Sequence, residues 1–322
     1  MQSVLHKLRG VPVTVVGDAV VDRYILGITS RISREAPVPV VRYEAEEVRA
    51  GGAANAAVNL GALELRATLI CLLGRDEAGM SLRRLLKARR VAVRAVSETG
   101  RATAVKTRIL AGAQGTRRQQ VLRLDVDPVR PPRAPSLQAL ARLMDAAPAR
   151  AWLISDYGHG LMDGPVLELM AERARQGLPV VVDSRHGLSR VRGPVVLKPN
   201  APELEGLAGA PVQDTADVVA AARAVVRRLG AAAVVATRGN QGMVVVERSR
   251  EPVVIAAHGR GEVTDVTGAG DTVAAALTGA LAAGVSLPMA ARLANVAASV
   301  VVQKLGAATA SPEEILAELA AG

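Results

Sequence analysis

Seven residues near the C-terminal end, Asp265-Val266-Thr267-Gly268-Ala269-Gly270-Asp271, combine two carboxylates with a backbone almost bare of side chains. They follow an extended apolar run at Val253–Ala257 and lead into an Ala-rich stretch, Thr272–Ala283, whose composition predicts a helix. The first turn of a helix leaves its N–H groups without internal partners, and the aligned peptide dipoles add partial positive charge there. Such a turn seats phosphate. An aspartate within it, Asp271, is placed to take a proton from whatever group receives that phosphate. Ordinary helix capping would explain the same aspartate without any chemistry, and the heptapeptide alone does not separate the two readings.

Other polar residues recur at the ends of apolar runs. Asp18 follows Val11–Val16, Asp156 follows Trp152–Ser155, Asp183 follows Pro179–Val182 and Asn200 follows Pro194–Leu197. Thr237-Arg238-Gly239 follows Ala232–Ala236, and a hairpin-like stretch runs over Gly242–Ala257. Helical patterns at Glu77–Arg89, Leu137–Asp145, Asp163–Arg175 and Thr215–Leu229 alternate with these runs; the first should turn Met80, Leu82, Leu85 and Leu86 inward. The repeated unit of strand, polar tip and helix predicts an α/β fold, a parallel sheet covered on both faces with ligands at the carboxyl ends of its strands. Carboxylates gathered above one sheet edge suit hydroxyls, Mg²⁺ or both.

Two stretches stand apart from that alternation. Gly51-Gly52 opens a helix that should run through Asn59 to about Leu63, with Asn55 and Asn59 one turn apart on one face. Amides there would suit a hydroxyl-rich ligand, although two solvent-facing asparagines would look the same. Pro37 and Pro39 forbid a helix within Asp22–Glu47. Val38–Glu46, Thr103–Leu110 and Gln119–Asp125, the last two flanking a polar tip at Gly112–Arg118, should form a small sheet, a flap over the site.

Composition narrows the function classes. Half of the 322 residues are apolar, with no Phe, one Trp and three Tyr, so the core must be built from Ala, Val and Leu. The formal charge of +10 calls for an anionic partner. A phosphorylated small molecule would satisfy it as well as nucleic acid. Arginines spread along the chain with no stacking aromatics interleaved argue against a nucleic-acid platform and read as a solvated Arg-rich surface. The single Cys71 lies in the apolar run Thr68–Leu73 and reads as a buried thiol. Met1–Pro12 has no signal-peptide core, and Val273–Val302 is broken by Gly284, Pro288, Arg292 and Asn295 into two helices, so a cytoplasmic protein with no membrane span is expected. The Gly-x-x-x-x-Gly-Lys loop of nucleotide hydrolases, the Gly-x-Gly-x-x-Gly dinucleotide fingerprint, paired zinc ligands and the Gly-x-Ser-x-Gly elbow are all absent. Phosphoryl transfer to an alcohol remains.

Gly51-Gly52-Ala53-Ala54-Asn55, Lys198-Pro199-Asn200-Ala201-Pro202-Glu203 and Asp265–Asp271 together resemble the ribokinase-like, or PfkB, carbohydrate kinases, and the resemblance covers essentially the whole chain. Asp22-Arg23-Tyr24, Ser30-Arg31-Ile32-Ser33, Leu122-Arg123-Leu124-Asp125, Asp156-Tyr157-Gly158-His159-Gly160 and Lys304-Leu305-Gly306 resemble the branch of that family acting on D-glycero-D-manno-heptose 7-phosphate. The resemblance implies a ribokinase-like three-layer sandwich around a mostly parallel sheet, a single kinase domain with lid segments at about 22–47 and 103–125. It implies Asp271 as the base and the amides of Gly268, Ala269 and Gly270 as the anion hole. Asp18, Gly52, Asn55 and Asn59 would hold sugar hydroxyls, with Arg108 or Arg123 on the substrate's own phosphate. Asn200 and Glu203 would organise Mg²⁺, while Thr237, Gly239, Gly242, Asp265, Thr267 and Asn295 would lie along the ATP cleft. A potassium ion near Asp265 is left open, and the lid strands would join a homodimer. With no His-x-Gly-His motif present, only the kinase half of the fused heptose enzymes is expected. Two other readings stay open: a PfkB kinase for ribose, fructose, another sugar phosphate or a nucleoside, and a catalytically silent binder of sugar or nucleotide.

Overall fold

The computed structural model describes residues 1–113, 116, 118–259 and 263–321, so the expected polar tip at Gly112–Arg118 lies partly outside the described residues. Among the described residues there are thirteen strands. These are β1 (Pro12–Gly17), β2 (Ala19–Ile32), β3 (Pro39–Gly52), β4 (Arg66–Leu72), β5 (Ala92–Val96), β6 (Ala104–Gly112) and β7 (Gln119–Val126). There follow β8 (Ala151–Asp156), β9 (Val180–Ser184), β10 (Val196–Leu197), β11 (Ala233–Thr237), β12 (Met243–Glu247) and β13 (Val253–Ile255).

Nine of them make one sheet in the order β13-β12-β11-β10-β9-β8-β1-β4-β5. From β11 to β5 every pairing is parallel, and β12 and β13 extend the edge as an antiparallel hairpin. Helices lie on both faces, and each face has its own apolar core. One is centred on the helices Ala53–Ala62, Ala269–Ala282 and Leu287–Val302, the other on Leu140, Met144, Trp152 and Val225. This is the α/β layering expected of the alternating pattern.

The remaining strands form a separate sheet, β3-β2-β6-β7, in which β2 pairs in parallel with β6 and antiparallel with β3. Its fourth strand is β2, which the mixed composition of Asp22–Glu47 concealed. The helix Gln2–Leu8, the edge strand β5 and the helix Ala201–Ala208 were likewise outside the sequence reading. Met80 is a correction: it lies on the helix Glu77–Ala88 but is 57% exposed, while Leu82 and Leu86 are buried. Among the described residues no helix is long and apolar enough to cross a membrane.

Candidate active site

The helix Ala269–Ala282 begins at Gly268, which takes φ +79°. That value favours glycine, and a Cβ there would stand 2.6 Å from the Asn55 amide nitrogen, so the position is closed to side chains on both counts. Asp271 sits in the first turn, 3% exposed. Capping does not account for it, because the helix has no side-chain cap. Its carboxylate instead takes two bonds from elsewhere in the fold. Asn55 Nδ2 donates to Oδ2 at 2.9 Å and Tyr157 Oη donates to Oδ1 at 2.7 Å. Burial pushes the acid up to about 7, against the opposing pull of those two donors. A carboxylate that titrates there is matched to proton transfer near neutral pH.

The Asn55 amide is fixed from behind. Asn59 Nδ2 donates to Asn55 Oδ1 at 3.1 Å and also to the Ala308 carbonyl, and Thr272 Oγ1 donates to Asn59 Oδ1 at 3.0 Å. The chain Thr272–Asn59–Asn55–Asp271 leaves Asn55 with its Nδ2 turned to the carboxylate. Asn59 is fully engaged in this relay and does not line the cavity, so its place is behind Asn55 and not among the sugar contacts.

Asp271, Gly268 and Gly270 open on a cavity of about 290 Å³, which also receives Asp156, Asp183, Asn200, Glu203 and Gly52. Lys198, at the end of β10, is buried and pairs with Asp183 at 3.0 Å. Burial pushes Asp183 up, with Lys198 opposing. Lys198 Nζ lies 3.9 Å from where a Gly270 side chain would begin, so its charge hangs over the helix start. The backbone amides of Gly268 and Gly270 have no backbone partner among the described residues, whereas the Ala269 amide donates to the Val266 carbonyl at 3.2 Å. Cation, bare amides and helix dipole thus converge on one spot, an arrangement for phosphate.

Asn200 and Glu203 form a capping box at the head of the helix Ala201–Ala208. Glu203 N donates to Asn200 Oδ1 at 2.8 Å and Asn200 N to Glu203 Oε2 at 2.9 Å. Burial pushes Glu203 up. Among the described residues no three His, Cys, Asp or Glu side chains stand close enough to cage a metal.

Asp18, expected among the sugar contacts, does not line the cavity. Its Oδ2 accepts from the amides of Tyr157 at 2.8 Å and His159 at 3.1 Å, so it holds the 156–160 tip in place. Burial pushes Asp18 up, and His159 opposes. Asp265 ties two loops together, accepting from Thr267 N and Gly306 N, each at 2.9 Å. Burial acts to raise it, but those donors outweigh burial and hold it low. Asp265 and Thr267 also border a second, larger cleft of about 960 Å³ under the small sheet. Thr237 bridges to Asn200, Gly239 starts the short turn after β11, Gly242 precedes β12, and Asn295 Nδ2 donates to the Ala256 carbonyl at 2.7 Å. These four gather where β11 and β13 end and β12 begins, outside the 290 Å³ cavity.

The small sheet contributes Asp22, Lys106 and Arg108 to the cavity. Arg108 is ion-paired with Asp22. Arg123 is paired with Asp125 and does not line the cavity, which removes it from direct contact there. Lys106 and Arg185 do line it, and neither is ion-paired among the described residues; both rest on the Tyr157 ring, at 5.0 and 4.7 Å from its centroid. Burial, then Arg185 and Arg123, push the Lys106 ammonium down.

Tyr157, Lys198, Lys106 and Arg185 were given no role from the sequence. Tyr157 carried a signal, since a tyrosine is rare in a chain with three of them and no Phe. Lys198 was visible within Lys198-Pro199-Asn200. Nothing in the spacing of Lys106 and Arg185 announced that they would meet.

Residues 12–314 match the model of the pfkB family of carbohydrate kinases. The chain is 42% identical over 306 residues to the bifunctional protein HldE of Pseudomonas aeruginosa, covering 94% of this chain and 62% of that one. It is 39% identical over 323 residues to the protein of the same name from Rhodospirillum rubrum, covering 98% and 64%. It therefore spans a little under two thirds of the length of these relatives. In fold it is similar to Escherichia coli phosphofructokinase-2 in complex with potassium (TM-score 0.77, 22% identity, 97% and 99% of the two chains). It is also similar to Arabidopsis thaliana ribokinase complexed with ribose and ATP (TM-score 0.72, 22% identity, 96% and 99%). The chain belongs to the pfkB family of carbohydrate kinases, phosphotransferases with an alcohol group as acceptor.

Proposed function

We propose that this protein moves the γ-phosphoryl group of ATP to a sugar hydroxyl, and that its acceptor is the anomeric oxygen of a D-glycero-D-manno-heptose 7-phosphate. The observation that carries the reading is Asp271, a buried carboxylate raised to about 7 within the same helix turn as the unpartnered amides of Gly268 and Gly270. The acceptor hydroxyl gives its proton to Asp271 as its oxygen bonds to the γ-phosphorus. The bond from that phosphorus to the β,γ-bridging oxygen breaks, and ADP departs with the electron pair. Lys198 and the two amides offset the charge on the moving group.

The donor set fits Mg²⁺ in one particular manner. One carboxylate (Glu203) beside an amide (Asn200), without a three-acid cage among the described residues, suits an ion held chiefly by water and phosphate oxygens. When bound, Mg²⁺ would neutralise nucleotide phosphate charge beside these two residues. Thr237, Gly239, Gly242 and Asn295 would border the nucleotide, and Asp265, with Thr267, would support a potassium ion through the loops it joins.

A phosphorylated acceptor is favoured by Lys106 and Arg185. Two cations without a carboxylate partner, crowding one cavity, match the charge of about −2 on a phosphomonoester. They take the place expected of Arg108 and Arg123, whose charges are already met by Asp22 and Asp125. Gly52 would border the sugar, Asn55 would act through Asp271, and the small sheet would close over the site as a lid. Within the phosphorylated sugars, heptose 7-phosphate is favoured by the resemblance that the motifs around Asp22, Leu122 and Asp156 carry. The test is ADP release with MgATP and a panel of acceptors. Turnover of heptose 7-phosphate above all others is expected, and turnover of unphosphorylated ribose or adenosine in its place would overturn the assignment.

A further inference from the structure

Each oxygen of Asp271 already accepts one hydrogen bond, Oδ2 from Asn55 and Oδ1 from Tyr157. Of these two donors only Tyr157 lines the cavity with Asp271, so its phenol stands where an acceptor hydroxyl would approach the base. Asn55 is poorly placed to move. Its Oδ1 already accepts from Asn59, it lies 2% exposed on the helix Ala53–Ala62, and turning its amide would break both bonds. The Tyr157 hydroxyl has no such second bond. Its main chain is anchored by the bond from its N–H to Asp18, while its ring lines the cavity, with one edge beside Gly52 and with Lys106 and Arg185 resting on it. The ring can therefore swing about its side-chain bonds while the backbone stays put.

We propose that Tyr157 is a positioning residue that occupies the acceptor's seat on Asp271 until a phosphorylated acceptor displaces it. With the phenol on the cavity side of Oδ1, a water molecule must compete with it for the position from which to be deprotonated, and ATP is spared when no sugar is present. An arriving phosphomonoester engages the two cations that rest on the ring, loosens their hold, and lets the acceptor hydroxyl replace the phenol. The new bond is the same in kind as the old one, O–H to carboxylate oxygen, so the exchange is close to neutral and the phosphate contacts tip it. In the unwanted reaction, water oxygen bonds to the γ-phosphorus, ADP leaves with the electron pair, and the water's proton would go to Asp271.

The proposal rests on the kinase reading above, and its test separates the two. Tyr157→Phe keeps the ring and its cation contacts but removes the hydroxyl. ADP release is measured for wild type and variant with MgATP alone, and again with the acceptor that wild type turns over. Expected are a rise of about tenfold in acceptor-independent ADP release, the scale of one charge-assisted hydrogen bond, and a lower acceptor KM. A merely structural role would lower both activities. Unchanged or reduced acceptor-independent release in a variant whose wild type phosphorylates a sugar overturns the seat-filling role alone. Absence of sugar phosphorylation by wild type overturns the kinase reading instead.

Discussion

All six residues of β8 are buried, whereas all eight of β7 are exposed. The nine-stranded sheet has a core on each face, so the carboxyl ends of its strands are fixed by the protein's own packing, and Asp156, Asp183 and Asn200 stand on ends that cannot drift. The four-stranded sheet is tied to one of those cores through Val21, Ala50 and Val105, but its last strand and the far end of β2 have no such support. By the register of its strands, Tyr43, Leu122, Leu124 and Val126 lie on one side, and all four are exposed. Groups that must not move are carried by the first sheet, and Lys106, which has to find its ligand, by the second. An exposed apolar sheet face also fits a second copy of the chain, which is how the lid strands would join a homodimer.

The largest effect should come from the fixed side. Asp271→Asn is expected to lose about 10³-fold in turnover while still binding ATP, as read by steady-state kinetics and nucleotide titration. The same variant should be more stable than wild type at pH 8. The native state keeps its Asp271 proton up to about 7, while the unfolded chain releases it near 3.8, so wild-type stability falls as pH rises between those values. Asparagine carries no such burden, and melting curves at pH 5 and 8 would reveal the difference.

Packing variants test the contrast itself. Leu153→Ala, fully buried on β8, should cost about 3 kcal/mol in denaturant unfolding. Leu124→Ala, 58% exposed on β7, should cost under about 0.5 kcal/mol in the isolated chain and should shift sedimentation toward the monomer. A loss at Leu124 as large as that at Leu153 would mean that the small sheet has a core of its own. Between these two lies the expected effect of Lys106→Ala, a rise of about tenfold in KM for a phosphorylated acceptor. Arg123→Ala should leave that KM near wild type, because its charge already serves Asp125.

The same contrast explains what could be read from the sequence. Strands buried on both faces are continuous apolar runs, and β1, β4, β8, β9 and β11 were legible for that reason. Asp271 was legible only as a candidate, because capping explained the same aspartate until the motifs elsewhere in the chain were added. β2 was not, because Asp22 and Arg23 interrupt its apolar pattern and Ser30 and Arg31 lie at its exposed end. The helix Ala201–Ala208 was hidden behind Pro202, which is tolerated at a helix's first turn but reads as a breaker. Met80 was misread because hydrophobicity stood in for orientation. The partners of Asp271 were out of reach altogether: Tyr157 comes from a strand end 114 residues away and Asn55 from a helix 216 residues away, and only the folded sheet brings them together.

The most direct test of Asp271 as the base is the pH dependence of kcat/KM for the acceptor at saturating MgATP. The account predicts a fall of about tenfold per pH unit below an inflection near 7, absent from the residual activity of Asp271→Asn. A wild-type profile that stays flat from about pH 5 to 8 would contradict it.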